Sequence, residues 1–193
     1  MELLTRDDLF SLEKYAEVRA EFRHNVMQHK KNRRVTIGEH VSLYFEDRLT
    51  VQYQIQEMLR IERIFESSAI EEELAAYNPL IPNGKNLKAT LMIEYTDVEE
   101  RREALKKLLG IESRIWMQVA DYEKVYPVTD EDLERQTIDK TSAVHFLRFE
   151  LTDDMITAAK AGQTISMGVD HSAYQHIIPA ISADLQHALV ADF

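Results

Sequence analysis

The sequence contains no cysteine in its 193 residues. A chain without thiols cannot form disulfides, bind zinc through a Cys-based ribbon, hold a Cys-ligated iron–sulfur cluster or use a cysteine nucleophile. The chemistry of this protein therefore rests on the oxygen and nitrogen groups of its side chains.

Glycine and proline are also scarce, with five and four residues respectively. The GxGxxG fingerprint and the GxxxxGK[ST] phosphate loop are both absent, and each needs several glycines so that backbone N–H groups can approach phosphates. The GxSxG nucleophile elbow is absent as well. The sequence thus argues against the common nucleotide-dependent enzymes and against hydrolases of that type.

No stretch of the sequence approaches the roughly 20 apolar residues of a membrane-spanning helix. The N-terminal residues MELLTRDDLF place acidic side chains where a signal peptide requires a basic region and an apolar run. We therefore expect a cytoplasmic protein with no membrane span.

Acidic residues outnumber basic ones by 34 to 23, which gives a formal net charge of −11. Nucleic-acid binding depends on neutralising phosphates with Lys and Arg, so this balance predicts that nucleic acid is not a partner. The exception is the segment 23–34, which carries Lys30, Lys31, Arg33 and Arg34. It is either a solvated helix end favoured by the helix dipole or a surface that binds an anionic or acidic partner.

Hydrophobic periodicity predicts a single α+β domain over residues 1–193, with a mostly antiparallel or mixed sheet packed against several helices. A long helix at 49–66, preceded by Asp47 as its cap, carries an unusually wide apolar face. Another helical region is predicted at about 6–32. The predicted strands lie at 35–37, 41–45, 87–95, 114–120, 124–128, 144–150 and 164–169.

The helix predicted at 49–66 also carries polar residues that alternate with apolar ones all round its surface. Some of them must lie near the core, where a Glu–Arg network is costly unless it is fully paired. One hypothesis is that Tyr53, Glu57 and Arg60 line a polar ligand pocket. The alternative is an ordinary amphipathic helix with Glu–Arg pairs on its surface.

Histidine and carboxylate groups are the remaining metal ligands in a chain without cysteine. The candidates are Asp170, His171 and His176, in a segment that follows a predicted strand. Loops at strand ends often hold ligands, so these three side chains would bind a divalent metal if the segment folds back. The alternative is that Asp170 caps a turn while both imidazoles are solvated or make structural hydrogen bonds.

Four segments of the chain resemble an uncharacterised bacterial family, a domain of unknown function. They are EDRLTVQYQIQEMLRIERIF (46–65), AYNPLIPNGKNLKATLMIEY (76–95), KTSAVHFLRFEL (140–151) and GVDHSAY (168–174). The resemblance covers essentially the whole chain. It implies a cytoplasmic single-domain protein, often encoded beside rubrerythrin and an iron–sulfur oxidoreductase, in peroxide or iron redox metabolism. It brings no established activity, cofactor or catalytic residue, so no role transfers to a residue of this chain.

Two functions follow as hypotheses. The first is a non-enzymatic accessory protein that binds a redox partner, such as rubrerythrin or an iron–sulfur oxidoreductase, or assembles with itself as a homo-oligomer. The absence of catalytic motifs and the basic segment in an acidic chain favour it. The alternative is a metal- or small-ligand-binding enzyme or sensor with a polar pocket. Catalytic residues and cofactor are unknown from the sequence.

Overall fold

The structure, a computed structural model, describes residues 2–131, 135, 137 and 139–193. These residues form an α+β fold, as the sequence predicts. Their α-helices are α1 (Leu12–Lys31), α2 (Arg48–Glu62), α3 (Ser67–Tyr77), α4 (Val98–Lys107), α5 (Asp153–Lys160) and α6 (Ala183–Val190). Their strands are β1 (Arg34–Ile37), β2 (Val41–Glu46), β3 (Asn86–Ile93), β4 (Ile115–Val119), β5 (Val128–Thr129), β6 (Val144–Glu150), β7 (Ile165–His171) and β8 (Tyr174–Ile178).

The strands form two sheets in which the paired neighbours are antiparallel. The larger sheet has the order β1-β2-β3-β6-β5, and the smaller has the order β4-β7-β8. Strand β3 is therefore central in the larger sheet, with a hydrogen-bonded neighbour on each side. The predicted α+β fold, with a mostly antiparallel or mixed sheet packed against helices, is confirmed in its antiparallel form, with the strands divided between two sheets.

The main core contains one face of each sheet. Leu43, Leu91 and Leu147 of the larger sheet belong to the same buried cluster as Ile115 and Met167 of the smaller one. Side chains alternate between the two faces of a strand, so the other face of the larger sheet is free to take polar residues. A second, smaller apolar cluster joins the N-terminal segment to α2 and α3.

Helix α2 corresponds to the long helix predicted at 49–66, but it ends earlier. The side chain of Asp47 caps its first turn by accepting a hydrogen bond of 2.9 Å from the backbone N–H of Thr50. Arg63 adopts a left-handed conformation, with φ of 56°, and stops the helix. The turn that follows brings α3 back alongside α2. Within the described ranges, no helix combines the length and the apolar character that crossing a bilayer requires.

Two segments differ from the sequence predictions. Residues 168–176 were expected to include a loop, yet they lie in the hairpin of β7 and β8. The middle of β8 is exposed, so it lacks the apolar alternation that reveals a strand. The segment predicted as a strand at 124–128 has only an isolated bridge between Val125 and Met117 before β5 begins.

The β1–β2 turn fastens the larger sheet to the smaller one. Gly38 has φ of 73° there, a conformation that favours glycine. The hydroxyl of Tyr174, on β8, donates to the backbone oxygen of Ile37 at 2.8 Å and accepts from the backbone N–H of His40 at 3.0 Å. A Cβ atom at position 38 would collide with that hydroxyl, so the turn and β8 constrain each other.

Candidate functional site

A cleft of about 770 Å³ lies between the polar face of the larger sheet and helices α2 and α3. We call it the α2–α3 cleft. Strands β2, β3 and β6 provide its floor, and the two helices with the turn that follows α3 provide the opposite wall. It is lined by Glu46, Met58, Glu62, Glu73, Ala76, Tyr77, Pro79, Leu80, Lys88, Ala89, Glu131, Arg135, Phe146, Leu147 and Arg148.

Three charged residues cross the floor of the cleft in one row. The antiparallel register places Glu46 of β2 opposite Lys88 of β3, and Lys88 opposite Arg148 of β6. Residues directly opposite each other in an antiparallel pair share one face of the sheet. A carboxyl group, an amine and a guanidinium group therefore lie side by side beneath the cleft.

Glu46 is only 4% exposed, and three side chains hold its carboxyl group. Thr50 Oγ1 donates to Oε2 at 2.6 Å, and Thr90 Oγ1 donates to Oε1 at 2.8 Å. Gln54 Nε2 donates to Oε2 at 3.2 Å. A buried carboxyl group is costly unless it is hydrogen-bonded, and these contacts hold Glu46 in one position at the edge of the floor.

The two cations of the row have opposite surroundings. Arg148 donates to both carboxylate oxygens of Glu131, at 2.7 Å each, and also contacts Glu150. Lys88, in contrast, makes no hydrogen bond or ion pair with the described residues. Burial and the neighbouring Arg148 guanidinium lower the pKa of Lys88, although Glu131 and Glu150 act in the opposite direction. The cleft thus holds a half-buried amine that is unpaired within the part of the chain that the structure describes.

The helical wall adds acidic groups that lack hydrogen-bond partners among the described residues. Burial, and after it the carboxylates of Glu62 and Glu72, raise the pKa of Glu73. Burial followed by the Glu73 and Glu62 carboxylates raises the pKa of Tyr77. The apolar part of the wall consists of Met58, Ala76, Pro79 and Leu80. The cleft therefore combines apolar surface with polar groups, some of which have no hydrogen-bond partner in the described ranges of the chain.

Tyr53, Glu57 and Arg60, the residues predicted to form a pocket, do not line the α2–α3 cleft. The Glu57 carboxylate instead binds Arg19 of α1, whose Nε and Nη2 atoms each donate at 2.8 Å. The hydroxyl of Tyr15 donates to the same carboxylate at 2.6 Å. We call Tyr15, Arg19 and Glu57 the Glu57 network. It joins α1 to α2, with Arg19 in the position that the sequence suggested for Arg60.

The Glu57 network satisfies its own charges. The hydrogen bond from Arg19, supported by that from Tyr15, lowers the pKa of Glu57 against the opposing effect of burial. Burial and the neighbouring carboxylate raise the pKa of Tyr15. Arg60 is exposed to solvent, and Tyr53 packs its ring against Phe22 with the ring centres 6.2 Å apart. This side of α2 fastens two helices together and leaves no polar pocket between these residues.

Asp170, His171 and His176, the candidate metal ligands, lie in the β7–β8 hairpin. The Asp170 carboxylate accepts hydrogen bonds from Lys124 Nζ at 2.9 Å and from the Tyr126 hydroxyl at 2.7 Å. These two contacts lower the pKa of Asp170, with Lys124 the stronger. The carboxylate is thus occupied by protein donors.

The two imidazoles of that hairpin have separate partners. The Nε2 atom of His171 lies 3.1 Å from the backbone oxygen of Leu109, and the ring of His176 packs on Tyr174 at 4.5 Å between centres. Among the described residues, no three His, Asp or Glu side chains are grouped so that they could hold a metal ion. The predicted ligands are therefore neighbours in the hairpin without converging on one point.

The candidate basic surface is divided by the structure. Lys31 is exposed and Lys30 is half-buried, with its Nζ 5.7 Å from the centre of the Tyr53 ring. Arg34 is exposed but donates to the Glu94 carboxylate at 3.0 Å. These three residues can meet a partner at the end of α1.

Arg33 does not belong to that surface, because it is only 3% exposed. Its Nε donates to the backbone oxygen of Phe45 at 3.0 Å, and its guanidinium pairs with Asp47 and, at short range, with Asp192. It therefore links the end of α1 to strand β2 and to the C-terminal residues. The expectation of a four-residue basic surface needs this correction, and its cause is the burial of Arg33.

Sequence reasoning missed the residues that form the floor of the cleft. A signal was present, because Glu46, Lys88 and Arg148 each place a charged side chain within a predicted strand or at its end. Such a residue lies either at a solvated face or under a site, and a single strand does not distinguish the two. Only the register of β2, β3 and β6 brings the three charges together.

Three comparisons with known proteins bear on this chain. A family model described as "Protein of unknown function (DUF3501)" matches residues 3–193. A crystal structure of a novel protein of unknown function from Burkholderia pseudomallei K96243 is 51% identical in sequence and superimposes with a TM-score of 0.94, over 100% of both chains. No curated protein matches the chain.

Proposed function

The chain belongs to the DUF3501 family of proteins of unknown function. We propose that it binds a small organic molecule in the α2–α3 cleft, as an enzyme or a sensor. The observation that carries this proposal is that the half-buried amine of Lys88, on the cleft floor, makes no hydrogen bond or ion pair with the described residues. A protein interior normally satisfies such a group. An amine without a protein partner is available to a ligand.

The dimensions of the cleft support the same proposal. Its volume of about 770 Å³ falls in the range of roughly 300–1,000 Å³ that ligand pockets occupy. Its surface is more apolar than polar, and seven charged residues also line it. Small-molecule sites obtain affinity from apolar surface and orientation from placed polar groups. The ligand that fits has an apolar part, an acceptor or carbonyl group for Lys88, and donors for the carboxyl groups of Glu62 and Glu73.

A substitution that fills the cleft tests the proposal. Ala75 and Ala76 are both exposed residues of α3, but only Ala76 lines the cleft. We expect Ala76→Trp to abolish ligand binding and Ala75→Trp, the matched control, to preserve it. The measurement is equilibrium dialysis against a small-molecule extract of the host, with the retained compounds identified by mass spectrometry. Equal retention by both variants would show that the ligand binds elsewhere.

We keep partner binding as a second proposal, because two large apolar side chains at the end of α2 are exposed. Ile61 is 66% exposed and Phe65 is 74% exposed, and apolar and aromatic side chains of this kind are typical of protein interfaces. The candidates are the proteins that the family resemblance implies, rubrerythrin and the iron–sulfur oxidoreductase. A cytoplasmic redox setting and self-assembly remain part of this second proposal.

Its test is a binding titration between the purified chain and purified rubrerythrin or the oxidoreductase of the same host. Phe65→Glu is expected to weaken the complex. Val98→Glu is the control, since Val98 is also exposed, at 61%, but lies at the start of α4. Unchanged affinity on Phe65→Glu would argue against this surface.

A further inference from the structure

The position of Lys88 restricts what its amine can do. It lies on β3, the central strand of the larger sheet, between Glu46 on one neighbouring strand and Arg148 on the other. Hydrogen-bonded neighbours on both sides fix the backbone of such a strand. The backbone at Lys88 is therefore held in place, and its side chain lines the α2–α3 cleft.

Two features of its surroundings favour the neutral amine. The residue is half-buried, and the Arg148 guanidinium, which engages Glu131 and Glu150, lies on one side of it. On the other side lies the carboxyl group of Glu46, which is held by hydrogen bonds from Thr50, Gln54 and Thr90. Desolvation and a neighbouring cation are the two conditions that activate lysine as a nucleophile, and they act here in the same direction on the pKa of Lys88. Lysine is suited to this role because burial readily lowers the pKa of its amine.

We propose that Lys88 is a nucleophilic amine that forms an imine with a carbonyl compound bound in the α2–α3 cleft. This inference rests on the proposed ligand-binding function and names its substrate class: a small aldehyde or ketone with an apolar part.

The covalent step balances without an oxidant or a reductant. The lone pair of the Lys88 Nζ attacks the carbonyl carbon, the C–N bond forms, and one amine proton passes to the carbonyl oxygen to give a carbinolamine. The hydroxyl group then takes a second proton and leaves as water, while the nitrogen lone pair forms the C=N bond. Glu73 lines the same cleft, and its raised pKa suits a carboxyl group that donates that second proton.

Reductive trapping tests this chemistry directly. The intact chain is incubated with pyruvate, and separately with acetaldehyde, in the presence of sodium cyanoborohydride, which reduces an imine to a stable secondary amine. Peptide mapping by mass spectrometry then gives the labelling rate of each lysine. Lys85 is the internal control, because it is close in sequence but exposed and paired with Asp153.

The expected result is that at least one probe labels Lys88 several-fold faster than Lys85. That label is lost in Lys88→Arg, which keeps the charge, and in Ala76→Trp, which fills the cleft, but is kept in Lys85→Arg and Ala75→Trp. Labelling of Lys88 at the rate of Lys85 with both probes, or equal labelling in Ala76→Trp, would overturn the inference.

The outcome separates the inference from the function on which it rests. If dialysis shows a compound that Ala76→Trp fails to retain, while Lys88 is trapped no faster than Lys85, the cleft binds a ligand without imine chemistry and the inference fails alone. If neither dialysis nor trapping depends on Ala76→Trp, both fail together.

Discussion

Helix α2 separates two polar regions, the Glu57 network and the α2–α3 cleft, in which similar residues have different roles. On the α1 side, the Glu57 network pairs a carboxylate with a guanidinium and a phenol at 2.6 to 2.8 Å. On the sheet side, the α2–α3 cleft leaves Lys88 without a partner in the described residues. The polar groups of the first region bind one another. In the second region Glu46 and Arg148 also have protein partners, but the Lys88 amine faces the cleft without one among the described residues.

The difference teaches how to assign roles to half-buried charges. Removing one member of a satisfied set leaves the others desolvated and unpaired, so it lowers the free energy of unfolding. Removing a charge that has no partner relieves a desolvation cost and leaves stability unchanged or improved. Stability measurements on the two sides of α2 should therefore move in different directions, and ligand binding should depend on the cleft alone.

The largest expected effect is that of Glu57→Ala. It leaves Arg19 and the buried hydroxyl of Tyr15 without their acceptor, and we expect a loss of about 2–3 kcal/mol in the free energy of unfolding. Urea denaturation followed by circular dichroism measures it. Glu62→Ala is the matched control on the same helix, because Glu62 is exposed and makes no hydrogen bond or ion pair with residues that the structure describes. A loss of similar size in both variants would contradict the distinction between the two regions.

The ion pair between Arg33 and Asp192 extends the comparison of paired and unpaired charges, because both of its side chains are buried although they pair with each other. Burial raises the pKa of Asp192 to about 6, against the opposing effect of Arg33. A carboxyl group whose pKa is higher in the folded than in the unfolded chain stabilises the fold fully below its unfolded value. That contribution is lost as the pH rises from about 4 through about 6.

Asp192→Asn should remove this dependence, so that the difference in unfolding free energy between wild type and variant changes progressively between pH 4 and 6. Urea denaturation at a series of pH values measures that difference. Asp184→Asn, an exposed position in the first turn of α6, is the control. A difference that stays constant over this interval for Asp192→Asn would mean that the carboxyl group does not titrate there.

A smaller effect is expected for Lys88→Met. Methionine is unbranched like lysine, one atom shorter and apolar, so it removes a half-buried amine that has no partner among the described residues. The free energy of unfolding should therefore stay within about 1 kcal/mol of the wild type or rise. The same urea titration measures it. A large loss of stability would show that Lys88 has a structural partner and would remove the contrast with Glu57.

The smallest effect on stability belongs to the end of α1. We expect Lys30→Glu with Lys31→Glu to change the free energy of unfolding by about 0.5 kcal/mol or less, since these are surface positions. If the segment is a partner surface, the double variant should weaken the complex with an acidic partner, and added salt should weaken the wild-type complex toward the same value. Affinity that responds neither to the charge reversal nor to salt would leave this segment a solvated helix end.

The fold was largely predictable because its signals are local. Asp47, as an N-cap residue, predicts the start of α2, and the alternation of Val41, Leu43 and Phe45 with polar residues predicts β2. Strand β8 escaped prediction because its middle residues are exposed, so no apolar alternation marks it. The burial of Arg33 was equally hidden, since it depends on Asp192, which lies 159 residues away in the chain.

The candidate site was predictable only in part. The sequence left two alternatives for the polar residues of α2, a partly buried network that included Glu57 and Arg60 or Glu–Arg pairs on an ordinary amphipathic helix, and Glu57 does take part in a network. Its partner Arg19 lies 38 residues away, and nothing in the local spacing favours it over Arg60. The cleft itself depends on a register that joins three strands and on the return of α3 over them. Long-range geometry of this kind leaves no periodic trace in the sequence.

The measurement that tests the central claim most directly is native mass spectrometry of the wild type, Ala76→Trp and Ala75→Trp, each purified anaerobically from the host. The account predicts a stoichiometric small-molecule adduct on the wild type and on Ala75→Trp that is released on denaturation and is missing from Ala76→Trp. An identical spectrum for the wild type and Ala76→Trp, apart from the mass of the substitution, would contradict it.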